Sequence, residues 1–286
     1  MIAIVGGLAT AVLWATTLLG SARSARLIGS WSTLGWVMLI GLVVTVPLVI
    51  ASPPVTLTER EILFLSAAGI ANSGGLLLVY TALRRGKVAV VGPIVSTEGA
   101  IGASLAILAG DPISGPALAI LGLIAVGVVM AAIERREPET DADAASVSAA
   151  GTALLALGGA VLFGINLFAT SRIAADLPLA WAVLPARVAG VVGVTIPLVL
   201  MRRLRLTRPA VPFVILVGVA EVIGTATYAW GARDSAAIAA VIASQFAGIA
   251  AIFAYVALGE RLSRVQVVGV VTIAVGVALL AALQAA

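Results

Sequence analysis

The 286-residue sequence contains no cysteine and no histidine. The first absence excludes disulfides, thiolate metal sites and cysteine nucleophiles, and the second removes the usual general base and a common metal ligand. Charge is scarce as well: 10% of residues are Asp, Glu, Lys or Arg against 62% hydrophobic, and mean hydropathy is +1.19. So little polar surface cannot cover a water-soluble globule of this length, and the composition places the chain in a bilayer. The alternating ten-residue period of outer-membrane strands is also missing, so the apolar runs predict helices.

About 20 mostly apolar residues cross a hydrocarbon core of about 30 Å. Ten runs of that kind occur, at 2–21, 32–51, 62–83, 88–109, 115–133, 149–172, 179–201, 210–232, 235–258 and 265–283. Residues 1–21 lack a basic leader and read as the first span rather than a signal. Pro47 and Pro197 lie inside spans and predict matching kinks.

The chain is a doubled unit. Residues 88–114, VAVVGPIVSTEGAIGASLAILAGDPIS, return 149 positions later as AIAAVIASQFAGIAAIFAYVALGERLS at 237–263. Each copy ends in a Gly-acid-x-Leu/Ile-Ser turn, Gly110–Ser114 and Gly259–Ser263. At the same offset Trp14 meets Phe163, Arg23 meets Arg172, Gly75 meets Gly224, Arg84 meets Arg233 and Gly127 meets Gly276. The predicted fold is an all-α integral membrane protein of ten helices, with one repeat at 1–133, a charged linker at 134–148 (ERREPETDADAASVS) and a second repeat at 149–286. Five spans per repeat is an odd number, so the copies cross the membrane in opposite senses, as inverted repeats around a central cavity. The linker's acidic alternation at 139–143 lacks the glycine and terminal glutamate of a calcium loop.

Thirteen Lys and Arg residues fall in the loops of one side and three, Arg60, Arg172 and Arg233, on the other, with Arg187 inside a span. The richer side is expected to be cytoplasmic, with both termini outside a cytoplasmic membrane. The sequence pI near 10.3 therefore reads as a topology signal and not as a nucleic-acid patch.

Charged side chains at mid-bilayer cost about 2.5–3.5 kcal/mol each, so those that persist face a cavity or a partner. Glu98 and Glu221 sit at the middle of spans 4 and 8; Asn72, Asn166 and Gln245 lie at similar depth, with Trp14, Thr16 and Thr17 in span 1. Trp14, Tyr228 and Trp230 add aromatic surface near that level. The predicted substrate site is Trp14, Thr17, Asn72, Glu98, Asn166, Glu221, Tyr228 and Gln245. Arg187 is placed to pair with Glu221; if it does, that pair is structural and Glu98 is the lone titratable group. Helix-to-helix hydrogen bonding is the competing role for the amides. Without histidine the serine of Ala71-Asn72-Ser73-Gly74 has no activating base, and no channel filter is present. Small residues on spans 5 and 10 predict close packing, within the chain or across a homodimer.

Two stretches, YTALRRGKVAVVGPIVSTEGAIGASLAILAGDPIS at 80–114 and YAWGARDSAAIAAVIASQFAGIAAIFAYVALGERLS at 228–263, resemble the paired signature segments of the EamA-type family of the drug/metabolite transporter superfamily. In that family span 4 ends in Leu-Gly-Glu-x-Leu-Ser/Thr. Gly259-Glu260-Arg261-Leu262-Ser263 follows the pattern and Gly110-Asp111-Pro112-Ile113-Ser114 is a softer version. Pro93, Ser96 and Glu98 stand where the family often has Pro, Ser and Glu, while Gly99 replaces the proline that commonly follows. The resemblance implies a secondary transporter for small polar metabolites, amino acids or related compounds favoured, working as an exporter or exchanger by alternating access. A proton-coupled uptake carrier and a non-transporting receptor or assembly subunit are the alternatives. It implies no catalytic residues, cofactor or metal site. Its partners would be a small-molecule solute, the lipid bilayer and protons as coupling ion.

Overall fold

The computed structural model describes residues 1–86, 88–111, 113–132, 142–250 and 264–285. The regular structure among the described residues is helical, with no strand. The helices are α1 (Ile2–Ile28), α2 (Ser30–Ile50), α3 (Glu59–Arg85), α4 (Val88–Val95), α5 (Glu98–Leu108), α6 (Gly115–Ala132), α7 (Ala142–Ala174), α8 (Leu179–Gly190), α9 (Ile196–Leu200), α10 (Val211–Ala232), α11 (Ala236–Ala243) and α12 (Arg264–Ala285). Residues 246–250 are also helical. Six helices are long and apolar enough to cross a membrane, among them Leu179–Leu200, which α8 and α9 form together. Large apolar side chains on their outer faces, such as Val43, Leu63, Ile70 and Leu154, are exposed, as a lipid-facing surface requires.

Local signals explain the boundaries. Thr58 and Glu61 form a reciprocal capping box at the start of α3, with Thr58 N–H donating to Glu61 Oε2 at 2.7 Å and Glu61 N–H to Thr58 Oγ1 at 3.3 Å. Arg84 and Arg85 occupy its last turn, where positive charge suits the helix dipole. Gly29 alone joins α1 to α2 at φ 85°, a left-handed conformation that favours glycine. The Gly110–Ser114 turn has a similar logic. Gly110 at φ 95° caps α5, Asp111 N–H returns to Ala106 O at 3.1 Å, and Ser114 Oγ accepts from Ala117 N–H at 3.3 Å to start α6. Pro112, the matching turn at Gly259–Ser263, and residues 133–141 of the expected linker lie outside the described residues; residues 142–148 are the first turns of α7.

Spans 4 and 9 differ from the continuous helices expected, because each is interrupted at mid-length. After α4, Thr97 N–H turns back to Ile94 O at 3.2 Å and Thr97 Oγ1 donates to the same oxygen at 2.7 Å, while Ser96 Oγ donates to Gly92 O at 3.0 Å. After α11, Gln245 N–H turns back to Ile242 O at 3.1 Å, and Ser244 Oγ and Gln245 Nε2 donate to Val241 O at 2.7 and 2.8 Å. Polar side chains thus take over carbonyls that the helix abandons. The backbone differs around the two prolines expected to match. A π-turn at Val191–Thr195 precedes Pro197, whereas Pro47 lies within α2, which continues to Ile50. The wider turn accommodates carbonyls left without the proline's missing N–H.

The most extensive interfaces join the first half of the chain to the second. α1 packs on α10 and α3 on α7; α3 meets α8 and α2 meets α10; α5 meets α7 and α1 meets α11. α2 with α8, α5 with α11 and α6 with α12 complete the set. Glycine sets the approach. A Cβ on Gly6 would lie 2.8 Å from Gly231 Cα, and one on Gly41 would lie 2.6 Å from Arg187 Cδ. Within the chain, Gly276 of α12 abuts Ile124 of α6, where the fifth and last spans pack together.

Candidate functional site

The two interrupted helices cross beside the polar residues of the mid-spans. Gly99, in the first turn of α5, has no room for a side chain: a Cβ there would lie 2.6 Å from both Ala240 O and Ser244 Cβ. The crossing forms one wall of a narrow cavity of about 40 Å³, a closely fitted space within the bundle. Trp14 and Thr17 enter it from α1, Asn72 and Tyr80 from α3, Glu98 from α5, Phe163 and Asn166 from α7, and Glu221 from α10, with Phe246 from the helical turn beyond Gln245. Six of the eight residues expected from sequence therefore share one cavity.

The other two do not line it. Tyr228 is buried behind Trp14, with ring centroids 6.2 Å apart, and its hydroxyl donates to Leu167 O at 2.8 Å. Gln245 Nε2 is spent in the turn after α11, and its Oε1 has no partner among the described residues. Thr16 bonds back to Val12 O at 3.0 Å, and Trp230 is 37% exposed on the outer face.

Arg187 settles the question of Glu221. Fully buried, it donates to Glu221 Oε2 at 3.5 Å and to Met38 Sδ at 3.6 Å. Glu98, 2% exposed, opens the helix after the break and has no ion-pair or hydrogen-bond partner among the described residues. Further polar atoms of the lining, among them Trp14 Nε1, Asn72 Oδ1 and Tyr80 Oη, also have no partner among the described residues. Such a concentration of unsatisfied groups is costly unless a ligand or water meets them.

Sequence reasoning missed Tyr80, Phe163 and Phe246. The repeat held the signal for the last two. At the offset of 149, Trp14 pairs with Phe163, Thr17 with Asn166 and Asn72 with Glu221, and all six line the cavity. Each aromatic sits in the other half's glycine notch: a Cβ on Gly224 would lie 2.7 Å from Trp14 Nε1, and one on Gly75 would lie 2.6 Å from Phe163. The two helix breaks match with a slip of one, Thr97 to Gln245 and Ile101 to Ile249, which pairs Glu98 with Phe246 rather than with Ala247.

Beyond Tyr228 and Leu167, toward the end of the bundle where α1 begins, lies a second, larger and more polar cavity of about 320 Å³ lined by Arg60, Asp111, Arg172, Asp176 and Asp234. Arg172 pairs with Asp111 at 2.9 Å and stacks on Phe168, 4.8 Å from the ring centroid. Arg233 donates to Ala174 O and, at 2.8 Å, to Leu177 O. The Asp234 carboxyl accepts from Ala3 N–H at 3.1 Å, and that bond, with the amino terminus beside it, holds it below the usual carboxylate range.

The sequence profile of the EamA-like transporter family matches residues 1–133 and again 151–282. The chain belongs to that family, within the drug/metabolite transporter superfamily, and is a multi-pass membrane protein. One solved protein crystal structure resembles it with a TM-score of 0.75 over 99% of this chain and 96% of that one, at 18% identity, a likeness of fold. No curated protein matches the sequence.

Proposed function

We propose that this protein is a secondary transporter that moves small polar metabolites across the cytoplasmic membrane by alternating access, as an exporter or exchanger. The observation that carries the reading is the mid-bundle cavity where two interrupted helices cross, furnished by positions from both halves of the chain. Interrupted helices at the midplane, with unpaired polar groups between repeats, are how transporters bind a solute within hydrocarbon.

Ten spans in two inverted five-helix repeats, 1–133 and 149–286, are supported by the double profile match and by the interfaces, which exchange in pairs under the repeat offset. In this reading the Arg172–Asp111 pair and the Tyr228–Leu167 layer close the outer side, while the cavity extends toward the cytoplasmic side through Ser21 and Tyr80. Opening the outer layer and closing the inner one exposes the same residues to the other face. Glu98 is the coupling group, because a proton and a solute compete for one carboxylate. The thirteen-to-three loop charge supports both termini outside.

The test is flux into proteoliposomes of purified protein across a broad panel of metabolites, with Trp14→Ala beside the parent. The parent moves at least one class of solute, and the variant, equally well folded, moves it more slowly. Flux of nothing in the panel overturns the proposal, and unchanged flux in Trp14→Ala removes that residue from the site.

A further inference from the structure

We infer that the cavity is built for an amine that carries no carboxylate: a small organic cation with an apolar or aromatic body. This rests on the transport reading but narrows its solute, since an amino acid would bring a carboxylate as well as an ammonium. The balance of charge around the cavity selects the solute. Two carboxylates, Glu98 and Glu221, reach the lining, and no Lys or Arg does so among the described residues. The buried Arg187 already serves Glu221 at 3.5 Å, and Arg172 is engaged with Asp111 in the neighbouring cavity. One negative charge, on Glu98, is left without a counter-ion among the described residues.

The neutral groups agree. Asn72 Oδ1 is an unpartnered acceptor on a side chain only 3% exposed, so two acceptors await a donor-rich ligand. An ammonium has three N–H donors and no acceptor, which suits Glu98 and Asn72 together. The Trp14, Phe163 and Phe246 rings supply an apolar wall, and an aromatic face also attracts a cation. A carboxylate would find neutral donors, the Trp14 indole N–H, the Tyr80 hydroxyl and the Asn72 and Asn166 amides, but no cation among the described residues, in a cavity that already holds an uncompensated anion. Like charges enclosed together are strongly disfavoured. The outer cavity, with Arg60, Arg172 and three aspartates, is a mixed-charge vestibule and makes no such selection.

The experiment compares solutes that share a skeleton and differ in charge. Binding of tryptamine, tryptophan and indole-3-acetate, and of 2-phenylethylamine, phenylalanine and 3-phenylpropanoate, is measured by calorimetry on the purified full chain. In at least one series the amine binds about tenfold or more tightly than the amino acid, and the acid does not bind. Glu98→Gln weakens the amine by about tenfold or more while eluting as a monodisperse protein, and Trp14→Leu weakens it as an independent check. Amino acid or acid binding as tightly as the amine, an amine affinity indifferent to Glu98→Gln, or no amine binding in either series overturns the assignment. Flux separates this from the transport reading. Amino acid moved in preference to amine keeps a transporter and overturns the cation, whereas Glu98-dependent amine binding with no flux of any solute keeps the cation site and overturns transport.

Discussion

Replacing Arg187 by methionine removes one half of an ion pair that is closed to solvent, with side-chain exposures of 0% for Arg187 and 5% for Glu221. The loss is dominated by the charge left behind, because Glu221 then has no counter-ion in a dry interior. Breaking such a pair costs about 3–5 kcal/mol, whereas replacing both partners by apolar groups of similar volume is close to neutral. Packing favours methionine here, since the Arg187 side chain already lies against Met38 and the Gly41 backbone. At about 2 °C per kcal/mol for a large chain, Arg187→Met lowers the melting temperature by roughly 6–10 °C. The double variant Arg187→Met with Glu221→Leu recovers most of that loss. Melting of detergent-purified protein, followed by size-exclusion recovery after heating, reads both. A double variant as unstable as the single one, or a single variant that melts with the parent, would refute the view that Arg187 exists to neutralise Glu221 and leaves Glu98 unpaired.

Two further outcomes follow from the same geometry. Gly99→Ala drives a methyl into the Ala240 carbonyl at the helix crossing, an overpacking of on the order of 2 kcal/mol that slows flux and lowers melting together; a normal melt with parental flux would show that the crossing is loose. In the cysteine-free chain, Asp111→Cys reacts with an impermeant thiol reagent in intact cells and Asp141→Cys does not, and the reverse result inverts the proposed orientation.

The repeat was legible in the sequence, and so was most of the site, for one reason. A buried polar residue in an apolar run is costly, which makes Glu98, Asn72, Asn166 and Glu221 visible without a structure. The glycine notches were visible as pairs, Gly75 with Gly224 and Trp14 with Phe163, but not as contacts, because an offset between two halves does not say which half each residue touches. Tyr80 escaped notice because its hydroxyl, facing the cavity, looks in sequence like an interfacial anchor at the end of a span. The breaks at Ser96-Thr97 and Ser244-Gln245 were hidden because they are made by side-chain bonds to carbonyls and need no helix-breaking residue at the turn itself. That slip of one residue also concealed Phe246 as the counterpart of Glu98. Tyr228 and Gln245 were misjudged for a related reason: depth in the membrane was readable, but not whether a polar atom was already spent on a neighbouring backbone carbonyl.

The central claim is that one buried site opens to each face of the membrane in turn. Thr17, 5% exposed in the lining of the cavity, offers the most direct test, because the chain has no native cysteine to confuse the labelling. A Thr17→Cys protein in sealed vesicles of known orientation is exposed to an impermeant thiol reagent from outside or from inside only. The account predicts reaction from either side, slowed from both by a transported solute. Reaction from one side alone, or protection from one side alone, would contradict it.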